Sequence, residues 1–155
     1  MSVRTITLVL AMLLVSVALR AADDPLIGTW KLNAAKSKYN PGPPPKSQIT
    51  TYEQTGEDEL KFTNHVVDAQ GKQNTILITY IFDGKEHPSP EAAGEMFVSR
   101  RIDAYTSERL TKKGGTTITT MRRVVSKDGK TLTVSQKGIN PRGLMIDNVQ
   151  VYDKQ

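Results

Sequence analysis

From Gly28 to the C-terminus, apolar side chains recur at every second position, and no window longer than ten residues keeps a helical spacing. A period of two marks strands with one buried face, so the pattern predicts an all-β domain. Ile76, Ile78, Tyr80 and Phe82 alternate with Thr75, Leu77, Thr79 and Ile81. That run is apolar on both sides and rich in β-branched residues, which predicts a central strand. Leu60, Phe62, Asn64 and Val66 predict the strand before it, Ile49 and Tyr52 an earlier one, and Met96, Val98, Arg100 and Ile102 a later one. Residues 108–112, 116–125, 131–136 and 145–152 predict four more.

Turn pairs punctuate these runs: Gln70-Gly71, Asp83-Gly84, Gly114-Gly115, Asp128-Gly129 and Arg142-Gly143. Each offers the positive φ that a tight hairpin needs, so successive strands are expected to pair. Residues 103–106 make a further turn, whereas residues 85–94, with Pro88 and Pro90, are too irregular for a strand. The count is eight or nine strands. A meander of that length exposes its edges unless it closes, and closure at eight strands leaves an interior filled by side chains or by one small ligand. The expected fold is an antiparallel up-and-down β-barrel, with a sandwich as the alternative. The Pro41-Gly42-Pro43-Pro44-Pro45 run excludes helix and predicts an extended strap within residues 33–46.

The first 21 residues follow a different pattern. Arg4 precedes an apolar run over residues 6–19, and Ala21 and Ala22 follow it. A charged start, a short apolar stretch and small residues predict a signal peptide cut after Ala21, hence a periplasmic or secreted protein. Residues 22–155 then form a single domain, a common size for one core. Without the leader, 19 basic residues face 16 acidic ones, a formal charge of +3. The densest basic clusters, Lys112-Lys113 and Arg122-Arg123, fall short of a phosphate-binding face, so no nucleic-acid partner is expected. The chain has no cysteine, which excludes disulfides, thiolate metal sites and a lipidated cysteine.

Chemistry-bearing residues are few. Two histidines, His65 and His87, lack metal-ligand spacing, and neither a Gly-x-Ser-x-Gly nor a phosphate-binding glycine loop occurs. No catalytic residue, metal or cofactor is therefore predicted. Arg100 shares a strand face with Met96, Val98 and Ile102, and Arg122 shares one with Ile118, Thr120 and Val124, which would turn both inward. An inward arginine needs an anion, either a ligand or an internal partner such as Glu53, Glu95 or Asp147. Tyr152 and Gln150, with Asn148 and Ile146, share a face of the last strand. Together with Tyr80 these groups predict a cavity for a small amphipathic ligand. The competing expectation is a cell-envelope structural or interaction module, its barrel filled by the nine Phe, Trp and Tyr side chains and lacking a cavity of ~300 Å³.

The segment Asp24-Pro25-Leu26-Ile27-Gly28-Thr29-Trp30-Lys31-Leu32 resembles the opening of the calycins, which join lipocalins to fatty-acid-binding proteins. The resemblance implies a lipocalin-like barrel whose floor is closed by Trp30 after Gly28, with a late basic residue over the ring: Lys154, Arg122 or Arg123. Gly-Thr-Trp-Lys-Leu is similar to the start of many fatty-acid-binding proteins, whose closing strand carries an Arg-x-Tyr that grips the ligand carboxylate beside another interior Arg. Tyr152 matches that tyrosine, Gln150 stands in place of the first arginine, and Arg122 or Arg123 corresponds to the second. An amide carries no charge, so the strongest anion contact of that family is missing. The proline-rich strap replaces the family's helical lid. The chain also resembles a set of small exported bacterial proteins of unassigned role.

Overall fold

In the computed structural model, which describes residues 24–140 and 142–155, the alternating segments become ten antiparallel strands. They are β1 (Gly28–Leu32), β2 (Ser47–Gly56), β3 (Glu59–Val67), β4 (Gln73–Ile81), β5 (Glu86–Pro88), β6 (Glu95–Asp103), β7 (Thr106–Lys113), β8 (Thr116–Val125), β9 (Thr131–Ile139) and β10 (Met145–Lys154). The signal peptide expected over residues 1–21 lies outside the described residues. The tenth strand is β5, inside the segment whose prolines argued against a strand. Its three residues pair with β6 on one side only, and Pro88 ends it at an edge, where a missing N–H costs nothing.

The strands form one curled sheet in the order β4-β3-β2-β1-β10-β9-β8-β7-β6-β5, so the first strand pairs with the last. The seam falls between β4 and β5, neighbours in sequence that share no ladder. β4, expected to be central, is therefore an edge strand. Its second apolar face is exposed, with Leu77 at 62%. The turn after β4 stitches the seam at one end: Phe82 N–H donates to Asp58 O at 2.8 Å and Gly84 N–H to Ser99 O at 3.1 Å. That end is the floor. The opposite end, the mouth, carries the turns after β3, β5, β7 and β9 and the strap of residues 33–46. The strap lies along β10: Lys38 and Val149 exchange backbone hydrogen bonds of 2.7 and 2.8 Å, and Asp147 N–H donates to Asn40 O at 2.8 Å.

At the floor Trp30 is fully buried, and its indole N–H donates to Leu26 O at 2.9 Å. Of the three basic residues considered for its face, Lys154 is the one that occupies it, with Nζ 5.0 Å from the ring centroid. Trp30 and Lys154 are direct partners in the β1–β10 ladder. The lysine passes across Gly28, where a Cβ would sit 2.9 Å from Lys154 Cε and φ is +129°, so the glycine two residues before the tryptophan leaves the lysine its path. Above this floor Tyr52, Phe62, Tyr80 and Phe82 form a chain of aromatic contacts with centroids 5.2–6.3 Å apart. Leu132, Val134, Ile78 and Tyr152 complete the same core.

Two strands turn the opposite face inward from the one expected. In β6 Glu95, Phe97 and Ser99 are buried, which puts Arg100 outside with its guanidinium on Glu108 at 2.6 Å. In β8 Thr119, Arg123 and Val125 are buried, which puts Arg122 outside. Both strands carry apolar residues on both faces, so alternation alone does not choose between them, and a one-residue shift reverses every side chain. Between β7 and β8 the register slips at Thr111/Lys112, a bulge that adds one residue, Ile118, to β8.

Gly138 faces Thr119 across the β8–β9 ladder at φ +134°, and a Cβ there would lie 2.1 Å from the Ile118 carbonyl oxygen. Backbone cannot swing aside as a side-chain tip can. Gly138→Ala is expected to cost about 3 kcal/mol, read as a fall of roughly 10 °C in the thermal midpoint followed by circular dichroism. An unchanged midpoint contradicts this register.

Candidate functional site

The interior keeps a cavity of about 180 Å³. Its walls combine Phe62, Ile76, Ile78, Met121, Leu132 and Val134 with polar groups from β2, β3, β7, β8 and β10. The volume is below the ~300 Å³ at which ligand pockets usually begin, the mark that sequence reasoning set for a filled interior. At the mouth a second hollow of about 480 Å³ lies between the strap, the β3–β4 turn and the β9–β10 turn, and Gln48 borders both spaces.

Arg123 dominates the cavity wall. Its side chain is 1% exposed, its Nε donates to Tyr52 Oη at 3.1 Å, its Nη2 to Met121 Sδ at 2.9 Å, and its Cζ lies 4.4 Å from the Tyr80 ring centroid. Among the described residues no carboxylate pairs with it, and its Nη1 has no hydrogen-bond partner. A guanidinium does not shed its proton at neutral pH, so this is a buried cation held only by an aromatic face, a phenol and a thioether. Such a charge is costly until an anion meets it.

Arg109, on β7, is the second interior cation, 4% exposed, with Cζ 5.0 Å from the Phe97 centroid and 5.5 Å from that of Tyr80. It forms an ion pair with Glu91 from the β5–β6 loop. The closing strand supplies no charge here. Tyr152 Oη donates to Gln150 Oε1 at 3.2 Å, and Gln150 Nε2 donates to Tyr39 Oη at 3.2 Å. The amide in place of an arginine thus links two phenols and ties β10 to the strap, a task needing a donor and an acceptor on one side chain.

The predicted site residues divide accordingly. Tyr80, Gln150 and Tyr152 come together around the cavity, whereas Arg100 and Arg122 stand on the outer surface. Arg123 was named only as the alternative to Arg122 that the resemblance left open, and Arg109, Tyr52 and Glu91 were not singled out as contacts. Arg123 shares its face with Met121 and Val125, a signal as strong as that for Arg122, but Arg109 has only Ser107 and Thr111 as same-face neighbours and no apolar pattern to mark it. His65 projects outward to Thr75 Oγ1 at 2.9 Å, and His87 meets Asp83 at 3.0 Å.

Comparison with protein-family models and with curated proteins finds no match. Solved structures do match in fold. A Schistosoma mansoni fatty acid binding protein in complex with arachidonic acid aligns over 84% of this chain and 96% of its own, with a TM-score of 0.59 at 12% identity. Wild-type fluorescent protein UnaG covers 83% and 96% with a TM-score of 0.53 at 18% identity. A zebrafish ileal bile acid-binding protein complexed with cholic acid covers 84% and 99% with a TM-score of 0.52 at 14% identity. The chain therefore has a curled antiparallel β fold like that of the fatty-acid-binding proteins; at these identities the likeness is one of fold.

Burial is the first cause that pushes the Tyr52 hydroxyl up from 10.0 to about 12, against the pull of the Arg123 cation. Tyr152 is raised for the same first cause, with Tyr52 adding to it. A phenol whose pKa is higher folded than unfolded holds its proton more tightly in the native state, so stability is full below pH 10.0 and is lost as pH rises through about 12. Denaturant melts are expected to be level up to pH 10.0 and to fall between there and about 12, with a shallower fall in Tyr52→Phe. A fall beginning well below pH 10.0 contradicts this account.

Proposed function

We propose that this is an exported, non-catalytic binding protein that takes an amphipathic molecule head-first, its acidic head on Arg123 and its apolar part between Phe62, Ile78, Met121 and Leu132. The observation that carries this reading is the buried, unpaired Arg123 in the wall of a cavity. A cation there raises the free energy of the empty protein, and a ligand carboxylate relieves it with a charge-assisted hydrogen bond to the free Nη1. The cavity admits a head and its first carbons, and the remaining tail has the mouth hollow beyond Gln48 to occupy. The fatty acid and bile acid bound by the two proteins of like fold are amphiphiles of that class. Tyr52, Tyr80, Gln150 and Tyr152 supply the remaining polar contacts.

The small interior favours a second reading, a filled barrel that serves the cell envelope as a structural or interaction module. Arg123→Met separates the two. A charge kept for a ligand makes the variant bind dodecanoate about 10- to 150-fold more weakly by calorimetry, while the thermal midpoint of the empty protein stays level or rises. A filled barrel binds dodecanoate in neither form.

Export is part of the proposal and rests on the charged, apolar and small-residue order of residues 1–22. Protein recovered from outside the cytoplasm of its host is expected to begin at Ala22 on N-terminal sequencing. Recovery in the cytoplasm with Met1 retained defeats this part alone.

A further inference from the structure

We propose that Arg109 is a second anion subsite of the barrel, held in this structure by the chain's own Glu91, and that the ligand which displaces Glu91 carries two negative charges on its head. The inference rests on the binding reading above and narrows it from any acidic amphiphile to one with a phosphate-monoester or dicarboxylate head.

The pair is asymmetric. Arg109 is 4% exposed on a strand, whereas the Glu91 side chain is 41% exposed on the loop between β5 and β6. The cation has nowhere to go, while the carboxylate is half in water and loses little by leaving. Glu91 also leaves the site incomplete. It meets Nη2 of Arg109, and the buried Nε has no hydrogen-bond partner, although that edge of a guanidinium suits a second anionic oxygen. Ser89 N–H donates to Glu95 O at 2.9 Å, closing the base of the loop, and Glu91, whose N–H donates to Ser89 Oγ at 3.2 Å, belongs to no strand, so its side chain can turn away without breaking a strand pair.

The two arginines are close enough for one head group. In the β7–β8 ladder Arg109 faces Met121 and Arg123 faces Ser107, which makes them diagonal neighbours on the inner face, and both lie against Tyr80. Two guanidiniums and one resident carboxylate leave one positive charge over. Glu95, buried at the start of β6, does not line the cavity. A singly charged head balances Arg123 and leaves Glu91 in place; a second negative charge is accommodated only when Glu91 departs.

Calorimetric titration of native protein, Glu91→Gln, Glu91→Gln/Arg109→Gln and Arg123→Met with dodecyl phosphate and with dodecanoate tests this. The expected result is that Glu91→Gln binds dodecyl phosphate at least about tenfold more tightly than native, gains less for dodecanoate, and loses the gain in the double variant. Glu91→Ala serves in its place should the amide variant not fold. No gain for dodecyl phosphate, a gain that survives loss of Arg109, or binding by neither native nor variant overturns the proposal. Failure of the first reading shows separately: Arg123→Met then leaves dodecanoate affinity unchanged while the Glu91→Gln gain persists.

Discussion

The pairing of Trp30 with Lys154 is the constraint from which the rest of the interior follows. It joins the first strand to the last, and because side chains alternate, that single register decides which half of β10 faces inward. With Trp30 inside, Tyr152, Gln150 and Ile146 must be inside too, and β9 follows with Leu132 and Val134. The indole is held from two sides, by the Leu26 carbonyl on its N–H and by the lysine over its face. Each contact is modest alone, about 1 kcal/mol, yet together they fix one rotamer of the largest side chain in the core. Gly28 belongs to the same device, because its missing side chain leaves the path that Lys154 follows.

How far this was legible in the sequence depends on whether one face of a strand outweighed the other. β3 was readable because Leu60, Phe62 and Val66 alternate with Lys61, Thr63 and His65, and the hairpin glycines placed most turns. β6 and β8 were not, since Met96 and Val98 compete with Phe97, and Ile118 and Val124 with Met121 and Val125. The tie is broken by neighbours far away in sequence, such as Tyr52 receiving Arg123. The edge position of β4 was hidden for a related reason. A strand apolar on both faces normally lies in the middle of a sheet, whereas here Leu77 and Ile81 flank an open seam instead. Glu91 was invisible as a site residue because its role depends on the β5–β6 loop reaching past β6 to β7.

Among the described residues neither interior cation pairs with a carboxylate as deep as itself: Arg109 meets the half-exposed Glu91 and Arg123 meets none. Aromatic faces do part of the work that an acid would do in a stable core: Tyr80 lies beside both Arg109 and Arg123, and Phe97 beside Arg109. A ring quadrupole attracts a cation but neutralises no charge, so the long-range field of Arg123 persists inside the cavity. The phenols are kept neutral by their own burial and add no negative charge at neutral pH. The interior thus holds positive charge among walls that are part apolar and part neutral polar, screened from bulk water, conditions under which an anion is held more strongly than in water.

An uncharged amide at Gln150 sharpens that arrangement. A third cation at this position of β10 would have stood two strands from Arg123 on the same wall, since both positions pair with Val134, and with no acid to share their repulsion would have added to the desolvation each carries. The amide instead spends both its polar ends on Tyr152 and Tyr39, binding the last strand to the strap that runs over it. Positive charge is therefore confined to the β7–β8 side of the interior, next to the loop that brings Glu91. The adjoining β10 becomes a neutral, hydrogen-bonded brace to the strap. For the acidic amphiphile proposed above, this arrangement would draw the head to the β7–β8 side and leave the apolar chain to run toward the mouth.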